Sequence, residues 1–492
     1  MTDSVAVIGA GPGGLITARW LSAQGFEVTI FESGTELGGQ WTGAPGRSGV
    51  WPDMHANTSR ILTAFSDLSH DGTATFPSNR DVHHYLRRYA EMFDLVPRYG
   101  AEVLRLSRGW IVETSNGSEQ FDRVVVASGR FQSPVIPAVP GLDTFAGEVG
   151  STFAFRDPDR YRGKRVLVAG CAVSALEIAT AVSHAGADVV VTQRRQRYVL
   201  PKFAAGVPSD HRIFTRYGVL AAETLPSAEI DRQLKEIVVE AGGSPEQYGA
   251  PAPDPSLFAA GVTLSQDYLP LVAEGRIRVR PWISSVAERA VSFADGATET
   301  FDAILFGTGF RQHIPFLDEG IRATVDLDDV HLDSDLHTFH PYLPGLAFVG
   351  MWDQSGGYFV PLELQARWIA YTWAGAIPSR APDVQRAAVA TYRERRGLPQ
   401  KTRMNVIALA FARLTGVEPS LARWPELRRS LLFGPLAPSC FRLEGPDALP
   451  DAAERFARDA AAFGAITDER LTEREERYWS LVREAAARGP GS

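Results

Sequence analysis

Two glycine-rich turns in this chain have the composition of phosphate-binding sites, and each directly follows a run of strand-forming residues. Residues 5–8 read VAVI, and the pattern GxGxxG comes next, followed by the apolar spacing of a helix. In such a turn the first glycine permits a tight bend, the second lets the backbone approach a pyrophosphate, and the third lets the helix pack against the strand. The free N–H groups at the helix start hold the phosphates. The residues predicted to bind a nucleotide here are Gly9, Gly11, Gly13 and Gly14.

A carboxylate after the second predicted strand supports a dinucleotide site. Residues 27–31 form this strand and Glu32 follows it, where a carboxylate accepts hydrogen bonds from an adenosine ribose. The same group disfavours a 2′-phosphate. The alternative is a glycine-rich turn that serves packing alone, but the strand, the helix and the carboxylate together favour a binding site.

The second turn keeps only one of its three glycines. It follows a strand at residues 165–169, and alanines stand at the second and third positions, so the backbone there must keep a negative φ. The residues predicted to bind this second nucleotide are Gly170, Ala172, Ser174 and Ala175. The next strand, residues 188–192, leads to Arg194 and Arg195 without a carboxylate. Arginines there suit the 2′-phosphate of NADPH through bidentate hydrogen bonds, and a solvated basic turn is the alternative.

Composition narrows the class of protein. At 492 residues the chain is too long for one hydrophobic core and predicts two or three domains. The hydrophobic share of 45% and the charged share of 22% are typical of a soluble globular protein. A net charge of -8 argues against nucleic acid and anionic membranes as partners.

Cysteine usage and hydropathy predict a compartment. Cys171 and Cys440 form no CxxC pair, and no Cys/His spacing predicts a metal site. We find neither a signal peptide nor an apolar run of membrane-spanning length. The sequence therefore predicts a cytoplasmic protein without a metal.

Two matched strand endings predict a duplicated architecture. Residues 121–129 and 302–310 each read as a buried strand that ends in small residues and a glycine. We predict an α/β fold of two three-layer, Rossmann-like dinucleotide-binding domains, the second inserted into the first. Residues 198–272 exceed what a simple crossover needs and predict a small helical cap. The predicted segments are 1–150 for the first domain, 151–311 for the second, 312–450 for the return to the first and 451–492 for a charged helical tail.

Several short motifs in a consistent order carry a resemblance to a known family. They are ELGGQW at 36–41, NTSR at 57–60, FSD at 65–67, FGTGF at 306–310, ELQARW at 363–368, LFGPL at 432–436 and FRLEGP at 441–446. On these motifs, which span nearly the whole chain, the sequence resembles the flavin-containing monooxygenases of the bacterial class B type.

The resemblance implies FAD in the first site and NADPH in the second. It places Gln40 and Trp41 along the flavin, and Asn57, with Thr58 beside it, between the flavin and the nicotinamide. Asn57 is the predicted catalytic residue, and a turn residue bonded to its own backbone is the alternative. Further cofactor contacts are implied for Thr308 and Gln365. Arg367 either supports the flavin from the same helix as Gln365 or is an ordinary surface residue.

The resemblance also implies a chemistry. NADPH reduces FAD, O2 adds to give a flavin 4a-hydroperoxide, and one oxygen atom passes to a nitrogen or sulfur of a small nucleophilic substrate. The alternatives are Baeyer–Villiger oxidation of a ketone, an NADPH oxidase or flavin reductase, and a non-catalytic redox sensor. A homodimer is left open.

Two departures from the family pattern lie on the predicted NADP side. The pattern FxGxxxHxxx(Y/F) falls on residues 145–155, with Ser151 in place of the histidine and Phe155 at its end. Phe155 mildly favours nitrogen or sulfur oxygenation over Baeyer–Villiger oxidation. Val173 stands before Ser174 where the family usually has asparagine. Both changes leave the nicotinamide preference and the coupling of NADPH use to oxygenation open.

Overall fold

Two parallel sheets organise the chain in a computed structural model, which describes residues 3–397 and 401–488. The first sheet has the order Glu27–Phe31, Ser4–Ile8, Arg123–Val126 and Leu346–Phe348. The second has the order Ile277–Pro281, Asp188–Gln193, Arg165–Ala169, Ala303–Phe306 and Glu148–Ser151. In each sheet the strand before the glycine-rich turn lies between its successor and a later strand. This is the topological switch point, where open α/β sheets bind ligands.

The first domain has three layers because its strands alternate in facing. Val5 and Val7 pack with the helices Pro12–Ala23 and Phe359–Trp373, while Ala6 and Ile8 point to the opposite core. That second face is covered by an antiparallel meander of Val103–Ser107, Ile111–Thr114 and Gly117–Gln120.

The second domain repeats this plan. Val166 and Val168 pack against the helix Val173–His184, and Leu167 and Ala169 face the other way. The covering meander is Ile283–Ala287, Ala290–Phe293 and Thr298–Thr300. The predicted duplicated, three-layer α/β architecture is confirmed.

The chain crosses between the two domains twice, and the crossings run side by side. Ser133–Pro134 pairs antiparallel with Phe310–Arg311. The boundary predicted at residue 150 falls inside the strand Glu148–Ser151, which belongs to the second sheet. This edge strand, with the sequence EVGS, has little apolar pattern of its own that could have marked it as part of the second sheet.

The inserted segment between residues 198 and 272 is mostly helical. Its helices are Asp210–Ile213, Arg216–Thr224, Ser227–Gly242, Leu257–Ala260 and Tyr268–Ala273. The predicted tail contains the helices Ala452–Ala461 and Glu473–Arg488. Tyr478 of the last helix stacks on Tyr217 of the inserted segment, with ring centroids 5.7 Å apart. The tail therefore packs on its own chain; residues 1–2 and 489–492 of the predicted segments lie outside the described residues.

The remaining elements connect these parts. The other helices are Asn79–Met92, Glu319–Thr324, Pro382–Glu394, Met404–Thr415 and Arg428–Phe433. The short 3-10 helices are Gly39–Thr42, Leu142–Thr144, Thr152–Ala154, Asp159–Tyr161, Pro245–Tyr248, Pro425–Leu427, Pro438–Arg442 and Ala462–Gly464. The short strands are Tyr198–Leu200, Phe203–Ala204, Val207–Pro208, Val262–Leu264, Gln354–Ser355 and Thr402–Arg403. None of the helices described between residues 3 and 488 has both the length and the apolar character that crossing a bilayer requires.

Candidate active site

The first glycine-rich turn has the geometry that a pyrophosphate needs. Gly9 has φ +110°, and a Cβ on Gly14 would lie 1.8 Å from the Gly9 carbonyl oxygen, so a side chain is excluded at both positions. A Cβ on Gly11 would meet nothing closer than Gly39, at 3.6 Å, so this part of the turn is open. Gly13 instead faces Val349, 3.0 Å from its would-be Cβ, which gives Gly13 a packing role. The helix begins at Pro12, earlier than the predicted start after residue 14.

Glu32 lies beside this turn. Its carboxylate accepts hydrogen bonds from the backbone N–H of Ala10 at 2.9 Å and of Gly34 at 2.6 Å. The Ser33 hydroxyl also donates to this carboxylate, at 3.4 Å. A carboxylate has about four acceptor positions, so one stays available for a ribose hydroxyl. The position predicted for Glu32 fits an adenosine ribose.

The ELGGQW motif folds back over the turn. Gln40 lies in the short helix Gly39–Thr42; its amide accepts from the Gly49 N–H at 2.8 Å and donates to the carbonyls of Phe131 and Arg47 at 3.1 and 3.2 Å. Gln40 therefore braces the loop against the first crossing between domains. Trp41 is half-buried against the first core.

Several buried polar atoms in the Asn57 loop and in the segments that follow the strands Arg123–Val126 and Phe310–Arg311 have no hydrogen-bond partner in the described part of the chain. They are Asn57 Oδ1, Ser128 Oγ, Arg130 Nε and both amide atoms of Gln312. Buried polar groups are nearly always paired, so these atoms are what a polar ligand would satisfy. With the open backbone at Gly11, this arrangement fits a bound dinucleotide such as FAD. Sequence reasoning did not select Ser128, Arg130 or Gln312, although the first two adjoin the singled-out Gly129.

Asn57 and Thr58 lie in a loop that reaches toward the second domain. Thr58 Oγ1 is 2.8 Å from Thr63 Oγ1, and a Cβ on Gly357 would lie 2.9 Å from the Thr58 hydroxyl. The Thr58 side chain therefore holds the loop against the segment before the helix Phe359–Trp373. Asn57 is the residue of the pair whose side-chain oxygen is left for a ligand.

The second turn packs against the strand end at Gly307. Gly170 has φ +135°, and the Ala175 methyl occupies space that a Cβ on Gly307 would enter, at 2.7 Å. An alanine at the third position is tolerated because a glycine faces it. Ala172 is extended, with φ -101°, and caps the helix Val173–His184, whose first turn presents Ser174 to solvent. The helix starts three residues before its predicted start, at the same offset from the first glycine as in the first domain.

The two arginines after the next strand are exposed and differently placed. The Arg194 guanidinium lies 4.7 Å from the Trp282 ring centroid, and Arg195 donates to the Ala259 carbonyl at 2.9 Å. Both keep further N–H groups for an anion.

Thr308 and Gln365 hold the protein together where the resemblance implied cofactor contacts. The Thr308 hydroxyl donates to the Val135 carbonyl across the paired crossings. Gln365 is fully buried; its amide donates to Thr338 Oγ1 at 2.7 Å and accepts from the Gly350 N–H at 3.0 Å. Both amide atoms of Gln365 are engaged by protein groups, so this side chain braces the core, and its implied flavin contact stays a prediction.

Three of the motifs meet in one buried charge cluster. Asp67 pairs with Arg19 at 2.9 Å and with Arg442 at 3.0 Å. Glu363 accepts from the Ser66 backbone N–H at 2.8 Å, and burial raises the pKa of its carboxyl. This cluster ties FSD, ELQARW and FRLEGP into the core behind the first glycine-rich turn.

Arg367 extends the same cluster. It is fully buried, donates to the Phe441 carbonyl at 2.9 Å and lies over the Trp20 ring. The expected surface exposure of Arg367 is wrong. Its flavin contact stays a prediction, and its buried Nη2 has no hydrogen-bond partner among the described residues. Charge alone suggested exposure, whereas long-range packing supplies the partners that make burial tolerable.

The charge cluster yields a stability prediction. Arg442→Ala removes one of the two guanidinium partners of Asp67 and should reduce the free energy of unfolding by about 3 kcal/mol. The midpoint of urea unfolding measures the effect. Arg458→Ala is the matched control, because the Arg458 side chain is 68% exposed and its ion pair with Glu454 is long, at 3.9 Å. Exposed pairs contribute little to stability, so this variant should change the midpoint little. Equal midpoints for the two variants would contradict the prediction.

The pattern FxGxxxHxxx(Y/F) runs along the edge of the second domain, and Val173, the other departure, begins the helix Val173–His184. Ser151 is buried at the end of an edge strand, and its hydroxyl caps nothing in the following short helix. Phe155 packs edge-on against Trp51, with ring centroids 5.7 Å apart. Phe155 therefore anchors the loop that leads to Asn57 onto the second domain.

A cluster that sequence reasoning missed lies two residues beyond Asn57. The Ser59 backbone N–H donates to Asp210 Oδ2 at 2.6 Å, and Ser59 Oγ is 3.0 Å from His211 Nε2. All three residues are buried. Burial raises the pKa of Asp210 to about 6 and lowers that of His211 to about 4. No spacing rule joins residues 151 positions apart, so the sequence carried no signal for this contact.

A cavity of about 580 Å³ opens beside the same loop. Loop residues Asp53 and His55 line it together with Glu177, Lys202 and Phe203 from the second domain. Burial raises the pKa of Glu177, and Lys202, 3.9 Å away, opposes that shift. The cavity gives a small molecule space next to the segment that carries Asn57.

The fold thus has two nucleotide-binding turns, each at the topological switch point of a parallel sheet, and comparison with known proteins gives the class. A model of the flavin-binding monooxygenase-like family matches residues 2–461. Dimethylaniline monooxygenase (N-oxide-forming) 2 of Rattus norvegicus is 30% identical over 483 residues, which cover 91% of this chain and 89% of that protein.

Solved structures agree in fold. S-allyl-L-cysteine S-oxygenase from Allium sativum has a TM-score of 0.63 at 21% identity and covers 99% of both chains. An open structure of cyclohexanone monooxygenase has a TM-score of 0.62 at 20% identity and covers 85% of this chain and 97% of that one.

The chain belongs to the flavin-binding monooxygenase-like family. It is an NADPH-dependent flavin monooxygenase, and its cofactors are FAD and NADPH. The resemblance seen in the motifs is thereby confirmed.

Proposed function

We propose that this protein transfers one oxygen atom from O2 to a nitrogen or sulfur of a small molecule. Membership of the family supports the proposal, as do the N-oxide-forming relative and the S-oxygenase with the same fold. The observation that assigns a residue to this function is the Oδ1 of Asn57, which is buried without a hydrogen-bond partner in the described part of the chain. Such an atom beside a flavin site is placed to hold a reacting polar group.

The residues divide between the two cofactors. The open turn at Gly11 and the carboxylate of Glu32 would hold the pyrophosphate and ribose of FAD, and Ala172 and Ser174 at the helix start would hold those of NADPH. Bound FAD, once reduced by NADPH, supplies the activation of oxygen. The chain positions both cofactors, keeps water from the junction and orients the substrate.

The experiment compares the amount of oxygenated product with the amount of NADPH that is oxidised without forming product. The purified protein is incubated with NADPH and a panel of amines, sulfides, hydroxylamines and ketones, and oxygenated product and hydrogen peroxide are measured per NADPH consumed. We expect N-oxide or S-oxide formation above background. Lactone or ester formation alone would identify Baeyer–Villiger oxidation instead, and peroxide as the sole product would identify an oxidase.

The same assay tests the proposed role of the two arginines. Arg194→Ala with Arg195→Ala removes the charge-assisted partners of a 2′-phosphate, so the preference for NADPH over NADH should narrow by about tenfold or more. The ratio of kcat/KM values for the two nicotinamides measures it. Arg311→Ala is the control, because Arg311 is exposed and pairs with Asp329 outside this turn. An unaltered ratio in the double variant would remove the arginines from the site.

Location and assembly are further parts of the proposal. We infer a cytoplasmic protein that binds neither nucleic acid nor membrane, which the net charge of -8 and the two buried free cysteines support. A homodimer stays a prediction, and light scattering after gel filtration tests it.

A further inference from the structure

The contact between the inserted segment and the loop of Asn57 is made by one buried hydrogen-bond cluster. Asp210 and His211 begin the short helix Asp210–Ile213, and both reach Ser59 of the first domain. The Ser59 carbonyl in turn accepts from the Thr63 N–H at 2.9 Å. Ser59 is therefore held at its N–H, its hydroxyl and its carbonyl, which leaves the preceding residues little freedom.

This cluster lowers the stability of the folded protein. Asp210 Oδ1 and His211 Nδ1 are buried without a hydrogen-bond partner in the part of the chain that the structure describes. An unsatisfied buried polar group destabilises the folded state, and a simple apolar contact would avoid that cost. Local departures from the most stable choice are typical of functional positions.

The charged groups around the cluster come from two other segments. Arg60 faces His211 and lowers its pKa further, and the Arg60 guanidinium lies 4.8 Å from the Phe463 ring centroid. Asp459 of the C-terminal segment interacts with Arg60. His211 also packs edge-on against Phe463, with ring centroids 5.3 Å apart. The insertion, the Asn57 loop and the C-terminal segment thus meet at Ser59.

We propose that Asp210 and His211 are positioning residues that lock Ser59 and thereby hold the Asn57 side chain in the orientation that oxygen transfer requires. The inference rests on the proposed function. It assigns the inserted segment a task beyond covering the site, namely to set how much of the NADPH consumed ends in oxygenated product. The acceptor oxygen of Asp210 performs this task, not its charge.

Two variants of Asp210 separate the role of its acceptor oxygen from the role of its charge. Asp210→Ala removes the acceptor, and product per NADPH should fall about tenfold, with hydrogen peroxide rising and the KM for NADPH unchanged. Asp210→Asn keeps an oxygen for the Ser59 N–H and should restore coupling. Asp254→Asn is the control, because Asp254 is an exposed aspartate of the same insertion that also accepts a backbone N–H. Uncoupling by Asp210→Asn as strong as by Asp210→Ala would overturn the proposal.

Stability gives a second readout, which tests the cost of burying the Asp210 carboxylate without measuring activity. The pKa of Asp210 is raised to about 6 in the folded protein. The contribution of its protonated carboxyl to the free energy of unfolding is therefore lost as pH rises through about 6. Asp210→Asn should therefore melt above the wild type at pH 8, and the difference should vanish below about pH 4, where the carboxyl is neutral in both states. A lower melting temperature for Asp210→Asn at pH 8 would contradict the cost inferred for the buried charge.

A double variant tests the link to Asn57 directly. If Asp210 acts through Asn57, adding Asp210→Ala to Asn57→Ala should cause no further loss of coupling. Additive losses would overturn the proposal. Hydrogen exchange reads the contact without any activity: Asp210→Ala should speed exchange at the Ser59 amide. Faster exchange in a protein that oxygenates no substrate would reject the proposed function and leave the contact intact, whereas unchanged exchange would reject the lock itself.

Discussion

Replacing Asn57 by alanine should leave FAD bound and NADPH oxidation running, but reduce oxygenated product per NADPH by at least about tenfold. The Asn57 Oδ1 is buried without a partner among the described residues, so this oxygen is left for a reacting group. Removing one preorganised polar group from a reacting centre typically lowers the rate by about 100-fold or more. Here the loss should appear as hydrogen peroxide, because waste of the reductant competes with oxygen transfer.

The measurement is the yield of product and of hydrogen peroxide per NADPH, with the flavin content read from its visible absorbance. Asn116→Ala is the control, since Asn116 is exposed in a turn of the first meander, far along the chain from the glycine-rich turns. Unchanged product yield in Asn57→Ala would assign the catalytic role elsewhere. Loss of the flavin itself would show that Asn57 serves binding and not the reaction.

Gly11→Ala and Gly14→Ala should both abolish the yellow colour of the purified protein, for different reasons. A Cβ at Gly14 would lie 1.8 Å from the Gly9 carbonyl oxygen, so the helix Pro12–Ala23 must move away from its strand. A Cβ at Gly11 meets only Gly39, at an ordinary 3.6 Å, so the fold tolerates it. It does stand where the backbone must approach a pyrophosphate.

The two variants therefore differ in the protein without flavin. Gly11→Ala should keep the far-ultraviolet circular dichroism and melting temperature of the wild-type apoprotein, and its affinity for added FAD should fall by about 100-fold or more, since a blocked approach costs several hydrogen bonds at once. Gly14→Ala should lose cooperative melting or fold poorly. FAD titration of the apoproteins, followed by fluorescence quenching, checks both. Normal FAD binding by Gly11→Ala would show that the pyrophosphate lies elsewhere.

The motif ELQARW shows what the sequence and the structure each contribute to assigning a family and the roles of its residues. Its presence, in order with the other motifs, identified the family correctly. The surface position considered for Arg367 was nevertheless wrong, and both Gln365 and Arg367 make hydrogen bonds inside the core. The residues of a family motif can serve packing in the core as well as the chemistry of the site. Only the contacts that each atom makes in the structure distinguish these two roles.

The sequence by itself determined the local features: two strand-turn-helix units, the carboxylate after one and the arginines after the other, and the insertion of one domain into another. These follow from short-range rules, since a glycine at positive φ, a period of two or 3.6, and a charge at a strand end act within a few residues. The identity of the class followed from their order along the chain.

Only the tertiary structure decided which polar atoms are free to act. It showed that Asn57 Oδ1 keeps no protein partner in the described chain, that the Gln40 and Gln365 amides are fully engaged, and that Asp210 reaches Ser59. These contacts join different elements of the fold, and that between Ser59 and Asp210 spans 151 positions of the chain. Burial and pairing are properties of the packed molecule, so no local pattern of residues encodes them.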